Sequence, residues 1–148
     1  MTATFTIAGP ADRAMLTRMV EDFHIEEHIP HARACDDALA TLLAAPAIGQ
    51  AVIIHEAPAA PAGYFILTYS FSLERGGKTA LLDELYILPA SRKKGLAKAA
   101  LAHAKTLAKA AGCTTLLLEV DHNNQLAHSL YTKAGFTALP RHYLTVPL

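Results

Sequence analysis

LLDELYILPASRKKGLAKAALAHAKTLAKAA, residues 81–111, carries the organisation of the chain. Leu81, Leu82, Leu85, Tyr86, Ile87 and Leu88 make a nearly unbroken apolar run, the pattern of a strand buried on both faces. Pro89 ends it, because proline cannot donate to a sheet ladder. Arg92, Lys93, Lys94 and Lys98 follow around Gly95 with no acid among them. Leu96, Ala97, Ala100, Leu101, Ala104, Leu107, Ala108 and Ala111 then recur at helical spacing, and Gly112 supplies the stop. Such a turn presents backbone N–H groups at a helix N-terminus beside cations, which suits a phosphate or pyrophosphate. A solvated basic helix start has the same composition.

The spacing Arg92-x-x-Gly95-x-Ala97 resembles the (Gln/Arg)-x-x-Gly-x-(Gly/Ala) loop of the GCN5-related N-acetyltransferases (GNAT). Downstream, Asn124-x-x-Ala127-x-x-x-Tyr131-x-x-x-Gly135-Phe136 resembles that family's second signature. Each pattern is short, but the two stand in the right order with a helix and a strand's length between them. The likeness covers about residues 81–137, and upstream it is one of layout only.

The resemblance implies an α/β fold, a twisted mixed sheet with splayed central strands and helices on both faces, forming a single acetyltransferase domain over residues 1–148. It implies acetyl-CoA as co-substrate. Arg92, Lys93, Lys94, Gly95, Leu96, Ala97 and Lys98 would surround the pyrophosphate, Leu85, Tyr86 and Ile87 would lie along the pantetheine arm, and Asn124 and Tyr131 would complete the site. The expected reaction is direct acetyl transfer in a ternary complex to the primary amine of a small molecule or peptide, the acceptor being unreadable. No cysteine falls within either signature to carry an acetyl-enzyme. The rival reading is an acetyl-CoA-binding sensor or subunit without activity. Dimers are common among similar proteins, so a homodimer is also open.

Apolar residues make up 52% of the 148, enough for a sizeable core. Thirteen basic and 13 acidic residues balance to zero, so bulk charge supports no nucleic-acid or membrane-surface role. Cys35 and Cys113 stand far apart, in no metal-binding spacing, and read as reduced thiols. The N-terminus lacks a secretory pattern and no apolar run reaches the length of a membrane span, so the expectation is a soluble cytoplasmic protein.

From the start of the chain, Thr4–Ile7 alternates as a strand. Met15, Leu16, Met19, Val20 and Phe23 form a helical stripe that fades through residues 24–28 and stops by Pro30. A second helix opens at Asp36-Asp37 and ends at Pro46. Ile48–His55 and Gly63–Phe71 read as strands joined by the Pro/Ala connection 57–63. After Gly112 come a strand at Thr114–Val120, a helix at Asn124–Ala134, and a tail with one or two short strands.

Acetylation of an amine sets three chemical requirements. The ammonium, with a pKa of roughly 10, must lose a proton. The oxyanion needs donors, and the leaving thiolate benefits from an acid. By resemblance Tyr131 is the acid, although an aromatic packed between helix and sheet has the same appearance. Asn124 can also serve as a helix N-cap. Asp83 and Glu84 interrupt the apolar strand and, by alternation, one faces each side; either, or a water relay, can be the base, with Glu119 a third choice. His24-Ile-Glu-Glu-His28 fits H-x-x-E-H, a zinc-hydrolase pattern, but no third-ligand helix follows, so no metal is expected. In related acetyltransferases this segment lines the acceptor pocket, which would give His24, Glu26, Glu27 and His28 a part in holding a cationic amine, the alternative being a solvated helix end.

Overall fold

The computed structural model describes residues 2–56 and 60–148. Five strands lie side by side in chain order: β1 (Ala3–Ile7), β2 (Gly49–Glu56), β3 (Ala60–Ser72), β4 (Gly77–Ile87) and β5 (Thr115–Leu118). The first three pairings are antiparallel and β4–β5 is parallel. A parallel neighbour needs a crossover, which α3 (Leu96–Ala110) supplies. Two helices, α1 (Arg13–Glu26) and α2 (Arg33–Ala44), sit between β1 and β2, and α4 (Gln125–Lys133) follows β5. Short 3₁₀ turns at Pro10–Asp12 and Pro89–Ser91 place prolines where a missing N–H does no harm.

The sheet is covered on both faces, as expected. On one side Leu16, Met19 and Val20 of α1 and Leu39, Leu42 and Leu43 of α2 pack on Ala51, Ile53, Tyr64, Ile66 and Tyr86. On the other, Leu96, Ala100, Leu101 and Ala104 of α3 pack on Val52, Ile54, Phe65, Leu67 and Leu82, with α4 joining through Leu130, Tyr131 and Ala134. Alanines at three positions of the α3 stripe let the helix lie close to the sheet. Lys105 of α3 ties the two helices together by donating to the carbonyl of Ala134.

Helix α2 starts at Arg33, before the acids that were expected to open it, because Ala32 already has the extended backbone of an N-cap. Residues 57–59 of the expected β2–β3 loop lie outside the described residues, and β3 begins at Ala60. The tail is a correction: none of residues 137–148 forms a strand. Pro140 and Pro147 bracket a segment with strand propensity but no ladder partner, and propensity alone does not make a strand. The tail is held instead by Arg141, which donates to Glu74 at 2.6 Å, leaving Tyr143 and Leu144 exposed.

Candidate active site

The site is made by two irregularities in β4. The first is on its β3 side. Ile66 pairs with Glu84 and Leu67 with Leu82, so Asp83 is an extra residue without a partner, a β-bulge. Side chains in a strand alternate, and one extra residue reverses the alternation. Leu82 therefore joins the α3 core, while Glu84 and Tyr86 turn to the α1 side. The second irregularity is on the β5 side. Pairing with β5 ends at Leu82–Leu118, and β4 runs on to Ile87 without a neighbour there. β5 itself ends at Leu118, and a pocket of about 560 Å³ opens between the rest of β4 and residues 119–121 that follow β5.

At one end of the pocket lies the turn into α3. Gly95 has φ 81°, the left-handed conformation that glycine adopts without strain. Among the described residues, none of the backbone N–H groups of 93–98 finds a backbone acceptor; the helix ladder begins with Ala99 bonding to Gly95. Free N–H groups at a helix start form a cradle for an anion. The neighbouring cations divide. Arg92 donates to Glu26 at 2.6 Å and to the Ile87 carbonyl at 2.9 Å, and Lys94 reaches Glu56 at 2.6 Å. Lys93 and Lys98 line the pocket together with Gly95, Leu96 and Ala97, whereas Lys94 does not.

The middle of the pocket holds the candidate chemistry. Asp83, Glu84, Leu85, Tyr86, Ile87 and Glu119 line it from the strands, Asn124 and Tyr131 from α4, and Glu26 and Glu27 from the end of α1. Asn124 caps α4, its Oδ1 accepting from Ala127 N at 3.1 Å. Tyr131 packs edge-on against Phe136, and burial first, then the charge of Glu27, holds its phenol proton more tightly than usual. It is therefore a neutral donor at pH 7.

The two acids of β4 meet different surroundings. Asp83 is exposed by surface area because it opens into the pocket. The protein around it still raises its carboxyl above the usual range, through desolvation first and then the charges of Glu84 and Glu119, against the pull of His24. Glu84 is held from both sides. Tyr64 Oη donates to its Oε2 at 2.7 Å, and His24 Nε2 lies 2.7 Å from its Oε1. Tyr64 is fully buried, and burial with the adjacent carboxylate keeps it protonated far above neutral pH.

The H-x-x-E-H segment comes apart in three dimensions. His24 is buried behind Glu84, and His28 sits exposed past the end of α1 at φ 55°. Two groupings bring three ligand-type atoms within 4.8 Å of one another among the described residues, His24, His31, Cys35 and Glu21, His31, Asp36. His28 is in neither. Sequence reasoning did not find Tyr64, His31 or Asp36. The signal was faint: a tyrosine within an apolar strand, and a histidine after the Pro30 that ends a helix.

Comparison with known proteins bears on the family and the fold. The model of the GNAT acetyltransferase family matches residues 15–136. An uncharacterized N-acetyltransferase of Bacillus subtilis (strain 168), YhfO, is 32% identical over 88 residues, 57% of this chain and 59% of that protein. The match thus spans less than two thirds of that relative's length. Among solved structures, an integron cassette protein from the mobile metagenome of Cole Harbour Salt Marsh is 30% identical over 97% of this chain and 90% of its own, with a TM-score of 0.82. A protein of Arthrobacter sp. FB24, provisionally named an acetyltransferase, is 29% identical over 98% and 96% of the two chains, also at 0.82. Among the described residues, no helix is long and apolar enough to cross a membrane.

Proposed function

The chain belongs to the GNAT family of acetyltransferases, and from that membership we propose that residues 1–148 act as one domain moving the acetyl group of acetyl-CoA directly to a primary amine in a ternary complex. The observation that carries this reading is the joining, in one gap between β4 and β5, of an N–H cradle at the start of α3 with Glu84 and Tyr131. The cradle, with Lys93 and Lys98, suits the pyrophosphate, and the edge of Leu85–Ile87, which has no strand beside it although Arg92 takes the Ile87 carbonyl, suits the amide groups of an extended arm. Acetyl-CoA supplies an activated thioester. Glu84 takes a proton from the incoming ammonium, and Tyr131 gives one to the departing sulfur. Asp83, whose carboxyl holds its proton more tightly, is the second choice of base.

The pocket is divided by charge. Glu27, Asp83, Glu84, Glu119 and Asp121 line it with no lysine or arginine partner among the described residues, whereas Glu26 is paired with Arg92 and the cations lie at the cradle. Such a field draws a cationic amine to one end and a phosphate to the other. The acceptor is therefore a small-molecule or peptide amine that carries positive charge.

The direct test is thiol release from acetyl-CoA against a panel of polyamines, aminoglycosides, amino acids and peptide amines. Release should require an amine and favour cationic ones. Binding of CoA with no release from any amine would mark a non-catalytic CoA binder instead. Gly95→Val tests the cradle separately. A Cβ at Gly95 meets no neighbour within 4 Å, so the change acts through the left-handed backbone and by filling the space a phosphate would occupy. It should abolish CoA binding in calorimetry. Unchanged affinity in the folded variant would place the co-substrate elsewhere.

A further inference from the structure

Glu84 is part of a line of four side-chain hydrogen bonds that runs from the sheet out to the start of α2. Tyr64 Oη donates to Glu84 Oε2 at 2.7 Å, Glu84 Oε1 meets His24 Nε2 at 2.7 Å, His24 Nδ1 meets His31 Nδ1 at 2.8 Å, and His31 Nε2 meets Asp36 Oδ1 at 3.1 Å. Each contact needs one proton, and Tyr64 brings its own. With Glu84 and Asp36 ionised, the other three contacts are filled only if the two imidazoles carry three ring protons. Two neutral rings carry two. The pair must then hold one positive charge, with one proton shared between two equal Nδ1 atoms.

The surroundings agree with that count. From α1, Glu21 lies 3.9 Å from His31 Nε2; from α2 come Asp36 and the Cys35 thiol; from β4 come Glu84 and, beyond it, Asp83; from β3 comes the Tyr64 phenol. Among the described residues, no lysine or arginine pairs with Glu21, Asp36 or Glu84, whose ion pairs all go to His24 or His31. His24 is only 6% exposed, so its two ring nitrogens depend on these partners rather than on water.

We propose that His24 and His31 share one positive charge between an inner carboxylate, Glu84, and an outer one, Asp36, and that this charge holds Glu84 ionised and aimed into the pocket at neutral pH. His24, His31 and Asp36 are positioning residues, since none of them lines the pocket. The proposal rests on the reading of Glu84 as the base.

The test is the pH profile of kcat/KM for the amine, in the full chain at saturating acetyl-CoA. His31→Gln removes the charge and should move the acid limb upward by about one pH unit, the effect of one charge a few ångströms away in a partly buried site. Asp36→Asn should move it the same way by less. A merely structural role would lower the rate without moving the limb, and an unmoved limb in both variants overturns the proposal. Nitrogen NMR of the histidine-labelled wild-type protein decides independently of activity and of how the variants fold. Three of the four ring nitrogens of His24 and His31 should be protonated at pH 7, and two would overturn the proposal. One equivalent of zinc in the purified protein, lost in His31→Gln, would overturn it as well. If Glu84→Gln keeps full activity while the spectrum still shows three protons, the assignment of the base has failed and the shared charge has not.

Discussion

Glu84→Gln should lower kcat/KM for the acceptor amine about 10³-fold at neutral pH, within the range for loss of a general base. The amide has the shape of the carboxylate, and its oxygen can still accept from Tyr64, while its NH₂ can donate to His24 Nε2 once that nitrogen gives up its proton. The packing of α1 on the sheet should therefore survive. The loss should not be the same at every pH. A free alkyl ammonium has a pKa of roughly 10, so as pH rises the amine arrives already deprotonated and the base matters less. The ratio of wild-type to variant rate should thus be largest near neutral pH and should fall steadily toward pH 10. A deficit below tenfold, constant across pH, would remove Glu84 from the proton transfer and return Asp83 or a water relay to first place.

Tyr131→Phe should slow single-turnover acetylation about 10²-fold, the low end for loss of a general acid. The variant keeps the ring and its edge-on contact with Phe136, so the α4 packing stays as it is. CoA affinity should change little, because one hydroxyl hydrogen bond contributes about 1 kcal/mol. Single-turnover rates are the right measurement, since slow product release would hide a chemical defect in kcat. Because the phenol is held protonated by burial and by Glu27, the wild-type rate should not fall on this account as pH rises to 9. Equal single-turnover rates in variant and wild type would leave Tyr131 as a packing residue.

Much of this was legible in residues 81–136. Apolar run, proline, basic turn and alanine-rich stripe gave the cradle, α3 and β4 from Leu81 on, because each is a local signal fixed by neighbours in sequence, whereas β4 itself begins four residues earlier, at Gly77. The presence of acids in β4 was legible too. Their directions were not: alternation placed Asp83 and Glu84 on opposite faces, but which core each half of β4 joins depends on a bulge that only the pairing with β3 reveals. Long side chains hid more. Arg92 and Lys94 read as phosphate ligands from their position, yet they reach Glu26 and Glu56, residues 66 and 38 positions away. His31 and Asp36 are ordinary loop and helix-start residues until α2 folds against α1. The tail failed for a related reason, since strand propensity says nothing about whether an edge is within reach.

The bulge at Asp83 has a consequence for anyone who would rebuild this protein. Pressing Asp83 into the ladder as an ordinary paired residue, with Leu82 kept in the α3 core, would make β4 regular, lengthen its ladder with β3, and by ordinary design rules improve the strand. It would also carry Glu84 into the layer beneath α3, out of reach of His24 and Tyr64, and bury an acid among leucines. The defect in the strand and the placement of the acid are one feature. A more ideal backbone of this topology, optimised for pairing alone, would converge on a better-formed sheet that has nowhere to keep that acid.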